Sequence, residues 1–127
     1  MDLIKLTIEE FKSKICEEDE SVWSSRSVRS RAIFRKKVWL YLIENDILTC
    51  PMTGEKVAYC LYEYKNVRTK KGHKKRYYYK FYSDAGTEFS IDHKLPISKG
   101  GPKKDLLNLQ AMTLQANRLK SDKLIYL

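Results

Sequence analysis

The sequence predicts an α+β chain that runs from N-terminal helices through a β-hairpin to a closing strand, loop, strand and helix. Three observations carry that expectation. Apolar residues recur at helical spacing within residues 1–46, tyrosines and β-branched residues crowd two runs between 57 and 82, and a stretch punctuated by Gly and Pro follows from 86 onward. A chain of 127 residues has the size of one domain with one modest core, so a single site is expected. The organisation read from it is a helical part over 1–46, a turn and basic β-hairpin over 47–85, and a C-terminal unit over 86–127.

Thr7-Ile8-Glu9-Glu10 has the form of a capping box, with Thr7 as N-cap and Glu10 three residues on. It predicts a short helix that ends near Glu17 and keeps Phe11 and Ile15 on one side. An acidic run from Cys16 to Glu20 and a serine- and arginine-rich stretch from Ser21 to Ser30 follow, read as an exposed linker or the start of the next helix. From about Val28 to Asn45, Phe34, Val38 and Leu42 stand four apart, joined by Tyr41 and flanked by Arg31, Arg35, Lys36 and Lys37. That pattern is an amphipathic helix with a packing stripe and a basic face.

Pro51, Thr53 and Gly54 mark a turn, after which Val57 to Tyr64 and Tyr77 to Tyr82 read as strands. Between them Arg68 to Arg76 reads as a hairpin tip with Gly72 at its turn. Residues 65–80 hold eight Lys or Arg and no acid, with tyrosines at 77 to 79 among the cations. Such a composition suits phosphate contact and base stacking as well as a solvated loop. Arg68, Lys70, Lys71, Lys74, Lys75 and Arg76 are the candidate nucleic-acid contacts there. Ser83-Asp-Ala-Gly86 predicts a second turn and Thr87 to His93 a half-buried strand, with Phe89 and Ile91 alternating. Pro96 and Gly100-Gly101 then open a loop, Leu107 to Met112 forms a return strand, and Thr113 caps a helix from Leu114 to about Lys123. Phe89, Ile91, Leu107, Leu109 and Leu114 are expected to hold this unit together with the N-terminal helices.

Charge narrows the function classes. Lys and Arg number 25 against 16 Asp and Glu, a formal charge of +9. A surface of that sign concentrates phosphate and gains affinity by releasing counterions. No stretch approaches the roughly 20 apolar residues of a membrane span, and the first residues lack the form of a signal peptide, so an intracellular protein with no membrane partner is expected. Cys16, Cys50 and Cys60 are too few and too oddly numbered for a secreted disulfide framework.

Asp92 and His93 stand side by side where a strand pattern meets a loop. In a regular strand they would point to opposite faces, so one shared site requires the strand to twist, bulge or end there. Asn117 falls near the start of the final helix, where unpaired backbone N–H groups favour anions. A carboxylate and an amide oxygen form a ligand pair suited to Mg²⁺ completed by water and phosphate. His93, with an unperturbed pKa of about 6.5, suits a general base near neutral pH. Asn108, at the start of the return strand, is the candidate to fix its ring through a side-chain or backbone oxygen. Each residue taken alone has a structural explanation; their joint order is the signal.

Ile91-Asp-His-Lys-Leu-Pro-Ile-Ser-Lys-Gly-Gly101, then Asn108-Leu-Gln, then Asn117-Arg-Leu-Lys-Ser-Asp122, resembles the HNH endonucleases of the ββα-metal fold. The likeness is to the variants with Asp-His first and Asn last, found in phage and intron homing nickases and in RNA-guided nucleases. It covers about residues 86 to 123. The resemblance implies Asp92 and Asn117 as ligands of Mg²⁺ or Mn²⁺, His93 as the base that activates water, and Asn108 as the residue that orients it and braces the loop. It sets Arg118 and Lys120 near the phosphate backbone. Many members frame this motif with zinc on two Cys-x-x-Cys pairs; Cys50 and Cys60 are separated by nine residues here and no cysteine flanks Asn117, so structural zinc is not expected. The function so implied is a DNA endonuclease that nicks as a monomer, a double-strand break requiring a homodimer or a larger phage or mobile-element complex. The alternative is a non-catalytic nucleic-acid-binding module, for DNA or RNA, working through the basic hairpin.

Overall fold

The computed structural model describes residues 2–15, 26–70 and 72–121. The expected end of the first helix near Glu17, the acidic run from Cys16, residues 21–25 of the serine-rich stretch, Lys71, Asp122 and Lys123 lie outside the described residues, while the rest of that stretch opens the second helix. The architecture is α+β. In chain order it comprises β1 (Asp2–Thr7), α1 (Ile8–Ile15), α2 (Arg26–Glu44), β2 (Val57–Thr69), β3 (Gly72–Ser83), β4 (Phe89–His93), β5 (Leu109–Thr113) and α3 (Leu114–Lys120).

The capping box forms as the sequence predicts. Glu10 N donates to Thr7 Oγ1 at 3.1 Å and Thr7 N donates to Glu10 Oε1 at 2.9 Å, so two N–H groups that helix geometry leaves unpaired are satisfied reciprocally. Phe11 and Ile15 are buried, as are Val38 and Leu42 of α2. Strand β1 was not foreseen. It pairs antiparallel with β2 through Asp2↔Tyr64 to Thr7↔Tyr59, and only Leu6 of its apolar side chains is buried, so a sparse alternation left little signal.

The antiparallel order is β1-β2-β3, with α1 and α2 on one face. Cys60↔Phe81 and Tyr62↔Tyr79 are opposed in the β2–β3 register, and all four side chains are buried on the helical side. Phe81 is the hub: Trp39 stacks on it with centroids 4.0 Å apart, and Phe11 meets it edge-on at 4.9 Å. On the opposite face Tyr59 and Tyr82 stack and Lys5 lies over the Tyr59 ring.

The β2–β3 hairpin corrects the expectation of a long tip over Arg68 to Arg76. Pairing continues through Lys65↔Arg76 and Val67↔Lys74 to Thr69↔Gly72, with Gly72 at φ 111°. Strand pairing needs only backbone groups, and side chains that alternate into solvent tolerate charge. Beyond the reach of β1, whose pairing stops at Tyr64, these residues form a two-stranded ribbon. Arg68 and Lys70 are exposed on it; Lys74, Lys75 and Arg76 belong to β3, and their side chains, like Lys71, lie outside what is described.

The second sheet is β4 paired antiparallel with β5, without a bulge, from Phe89↔Thr113 to His93↔Leu109. Among the described residues a single bridge, Tyr82↔Glu88, joins it to the first. Thr113 caps α3 as expected, its Oγ1 accepting from Ala116 N at 3.2 Å. Phe89, Leu109, Ala111, Met112 and Ala116 extend the same core. Leu107 does not belong to it. It is 71% exposed, because residues 106–108 form a short 3₁₀ turn, capped by Asp105, that turns the half-buried Leu106 inward instead.

Candidate active site

Strand β4 ends at His93, and that ending resolves the face problem. Asp92 and His93 both line one open cleft of about 370 Å³, completed by Pro96, Ile97, Ser98 and Ser121. Asp92 is opposite Gln110 in the β4–β5 register, and Gln110 Nε2 donates to its Oδ2 at 2.9 Å.

Helix α3 lies along the Ser90 and Asp92 side of β4. Residues two apart in a strand and three apart in a helix share a face, so Asn117 meets Ser90 while Lys120 meets Asp92. Asn117 Nδ2 donates to Ser90 Oγ at 2.8 Å, and Asn117 itself is not among the residues that line the cleft. Lys120 Nζ stands 3.0 Å from Asp92 Oδ2 and 3.3 Å from Oδ1, and it donates to the His93 carbonyl at 2.9 Å. Its side chain is 2% exposed and that of Asp92 7%. Lys120 is therefore corrected from a surface phosphate contact to the buried counter-ion of Asp92. Arg118, one residue off that face, is exposed as expected.

His93 is half-exposed, and its Nε2 lies 2.9 Å from the Lys103 carbonyl oxygen. A carbonyl only accepts, so in the neutral ring the proton sits on Nε2 and the lone pair on Nδ1. The partner that fixes the ring is thus Lys103, where Asn108 had been expected. Asn108 acts one step removed. Its Oδ1 accepts from Leu95 N at 2.9 Å, and its Nδ2 donates to the carbonyls of Leu95 at 3.1 Å and Pro102 at 3.0 Å, adjacent to Lys103. Lys94 N donates to the Asn108 carbonyl at 2.7 Å. The loop these bonds brace also needs Gly101: a Cβ there would stand 1.9 Å from the Leu95 carbonyl oxygen.

The donor set at Asp92 fits a cation, since a buried carboxylate already holds an ammonium there. Among the described residues no group of three or more His, Cys, Asp or Glu gathers to hold a metal, at this site or any other, so Asp92 and a neutral amide oxygen are the oxygen donors on offer. Cys50 and Cys60 are free and buried, and burial pushes the Cys60 thiol up to about 12. No helix among the described residues is long and apolar enough to cross a membrane. Lys120 and Ser90 were legible in principle from their spacing to Asn117 and Asp92; the Lys103 contact is a backbone carbonyl and leaves no trace in residue type.

Comparison with models of known protein families, with curated proteins and with solved structures finds no match for this chain.

Proposed function

We propose that this chain is an intracellular, metal-dependent DNA endonuclease of the HNH type, with β4, β5 and α3 as its ββα-metal motif. The observation that carries the reading is the pairing of Asp92 with a pinned His93 on one open cleft. His93 Nδ1 takes the proton from water for in-line attack on a phosphodiester, while Nε2–H stays on the Lys103 carbonyl. Asp92 and Asn117 Oδ1 would hold Mg²⁺ or Mn²⁺. When bound, that ion supplies positive charge against the developing charge on phosphate and leaving oxygen. Asn108 keeps the 95–103 loop, and through it the imidazole, in place. Arg68 and Lys70 on the ribbon, Lys71, Lys74, Lys75 and Arg76 in the same basic run, and Arg118 beside the site supply phosphate contact. One site per chain makes the product a nick, and a homodimer or a larger phage or mobile-element complex would be needed to cut both strands.

Supercoiled plasmid incubated with Mg²⁺ or Mn²⁺ tests this. Wild type is expected to give nicked circles and His93→Ala at least about a hundred-fold fewer, at equal DNA binding. A second reading, a nucleic-acid-binding module that no longer cuts, is favoured by one observation: Lys120 already neutralises Asp92. Wild-type protein that binds DNA yet leaves the plasmid supercoiled with either ion would establish it.

A further inference from the structure

The Lys120 ammonium occupies the place where a divalent ion would meet Asp92. It straddles both carboxylate oxygens and takes the His93 carbonyl as a third acceptor. Gln110 fills a further acceptor position on Oδ2. A divalent ion at either oxygen would stand within a few ångströms of Nζ, and a +1 and a +2 charge sharing one buried carboxylate repel strongly where water is excluded. The two cations are therefore alternatives.

Lys120 also has a way out. It is the last residue of α3, and Ser121 directly after it lines the cleft. Ser121 sits at φ 49°, ψ −122°, a backbone region that L side chains seldom adopt, so the segment that anchors the lysine is held under strain. Rotation of the Lys120 stem toward the cleft would free the carboxylate.

We propose that Lys120 is a displaceable internal cation, filling the seat at Asp92 in the resting protein and leaving it when a divalent ion binds. This rests on the endonuclease reading for the identity of the ion, and it adds a regulation of that site. The resting protein keeps a satisfied ion pair in place of an unpaired buried carboxylate, and ion affinity is set by competition with the lysine.

The test follows the lysine itself. In protein labelled with ¹⁵N-lysine, one ammonium is expected to exchange slowly with solvent; it should be absent in Asp92→Asn and vanish from wild type as Mg²⁺ saturates the site, with saturation read by calorimetry. In parallel, Lys120→Met is expected to bind Mn²⁺ at least ten-fold more tightly than wild type. A slow ammonium that persists at saturating Mg²⁺, or equal Mn²⁺ affinity in folded Lys120→Met, overturns the proposal. The wild-type spectrum decides the matter even where the variant does not fold. If plasmid is nicked while the ammonium persists, the competition fails and the endonuclease reading stands; if neither ion binds and no plasmid is nicked, both fall.

Discussion

The two sheets are held by different physics. The β1-β2-β3 layer rests on rings: Phe11, Trp39, Tyr62, Tyr79 and Phe81 pack between strands and helices, where polar groups are few and Trp39 Nε1 has no partner among the described residues. The β4–β5–α3 unit is smaller and rests on directed contacts: a buried ion pair, an asparagine that bridges a loop, and a serine tied to an amide. Apolar packing is tolerant of chemistry but sensitive to volume, whereas a buried polar network is the reverse. The first layer contributes stability through volume, and the second contributes it through pairing while also setting where a few oxygens and nitrogens stand.

That division is open to attack from both sides. The largest expected effect is on turnover: His93→Ala should lower nicking about 10²–10⁴-fold while the thermal midpoint stays within a degree or two of wild type. A large drop in stability would show that the imidazole belongs to the scaffold. Phe81→Ala should do the opposite, costing about 3–5 kcal/mol in urea unfolding through lost packing with Trp39 and Phe11. A loss under 1 kcal/mol would contradict its place at the hub.

Asp92→Ala leaves Lys120 charged and unpaired in a buried place, so it should cost about 3–5 kcal/mol, and Asp92→Ala with Lys120→Met together should recover most of that. Additive losses would mean that the two side chains do not interact. A pH effect is expected in the other layer. The Cys60 thiol is pushed by burial from its ordinary 9.0 to about 12, so the fold keeps a proton that the unfolded chain releases. That contribution is intact below pH 9 and fades as pH rises toward 12; the wild-type decline should be steeper than that of Cys60→Ala, as followed by alkaline unfolding. The smallest effect is Thr7→Ala, expected to cost about 1 kcal/mol by removing one half of the capping box.

What was legible in the sequence follows from where information sits in side chains. The capping box at Thr7 and Glu10, the Phe11 and Leu42 stripes and the Thr113 cap are local signatures, and each forms as read. Asp92 and His93 were legible as a pair, and their convergence depends on a strand end that the following Lys-Leu-Pro suggested. Three features differ from what the sequence predicts. Charge marks the basic hairpin as a loop, although strand pairing is a matter of backbone. The apolar pattern points to Leu107 where Leu106 is the one turned inward, a one-residue difference set by a 3₁₀ turn. Lys120 reads as a surface cation because its partner, Asp92, lies 28 residues earlier and only the packing of α3 on β4 joins them.

The extended β2–β3 ribbon has a practical corollary. Its far end, at Lys70 and Gly72, divides the chain into one piece with β1, α1, α2 and β2 and another with β3, β4, β5 and α3. The second piece contains Asp92, His93, Asn108, Asn117 and Lys120, while the first contributes Phe11, Trp39 and Leu42 to the shared interior. Expressed as complementing fragments, the two would reunite along a long antiparallel seam, and neither half alone would close its hydrophobic interior. The molecule thus offers a natural point for a split version whose assembly is governed by bringing two partners together.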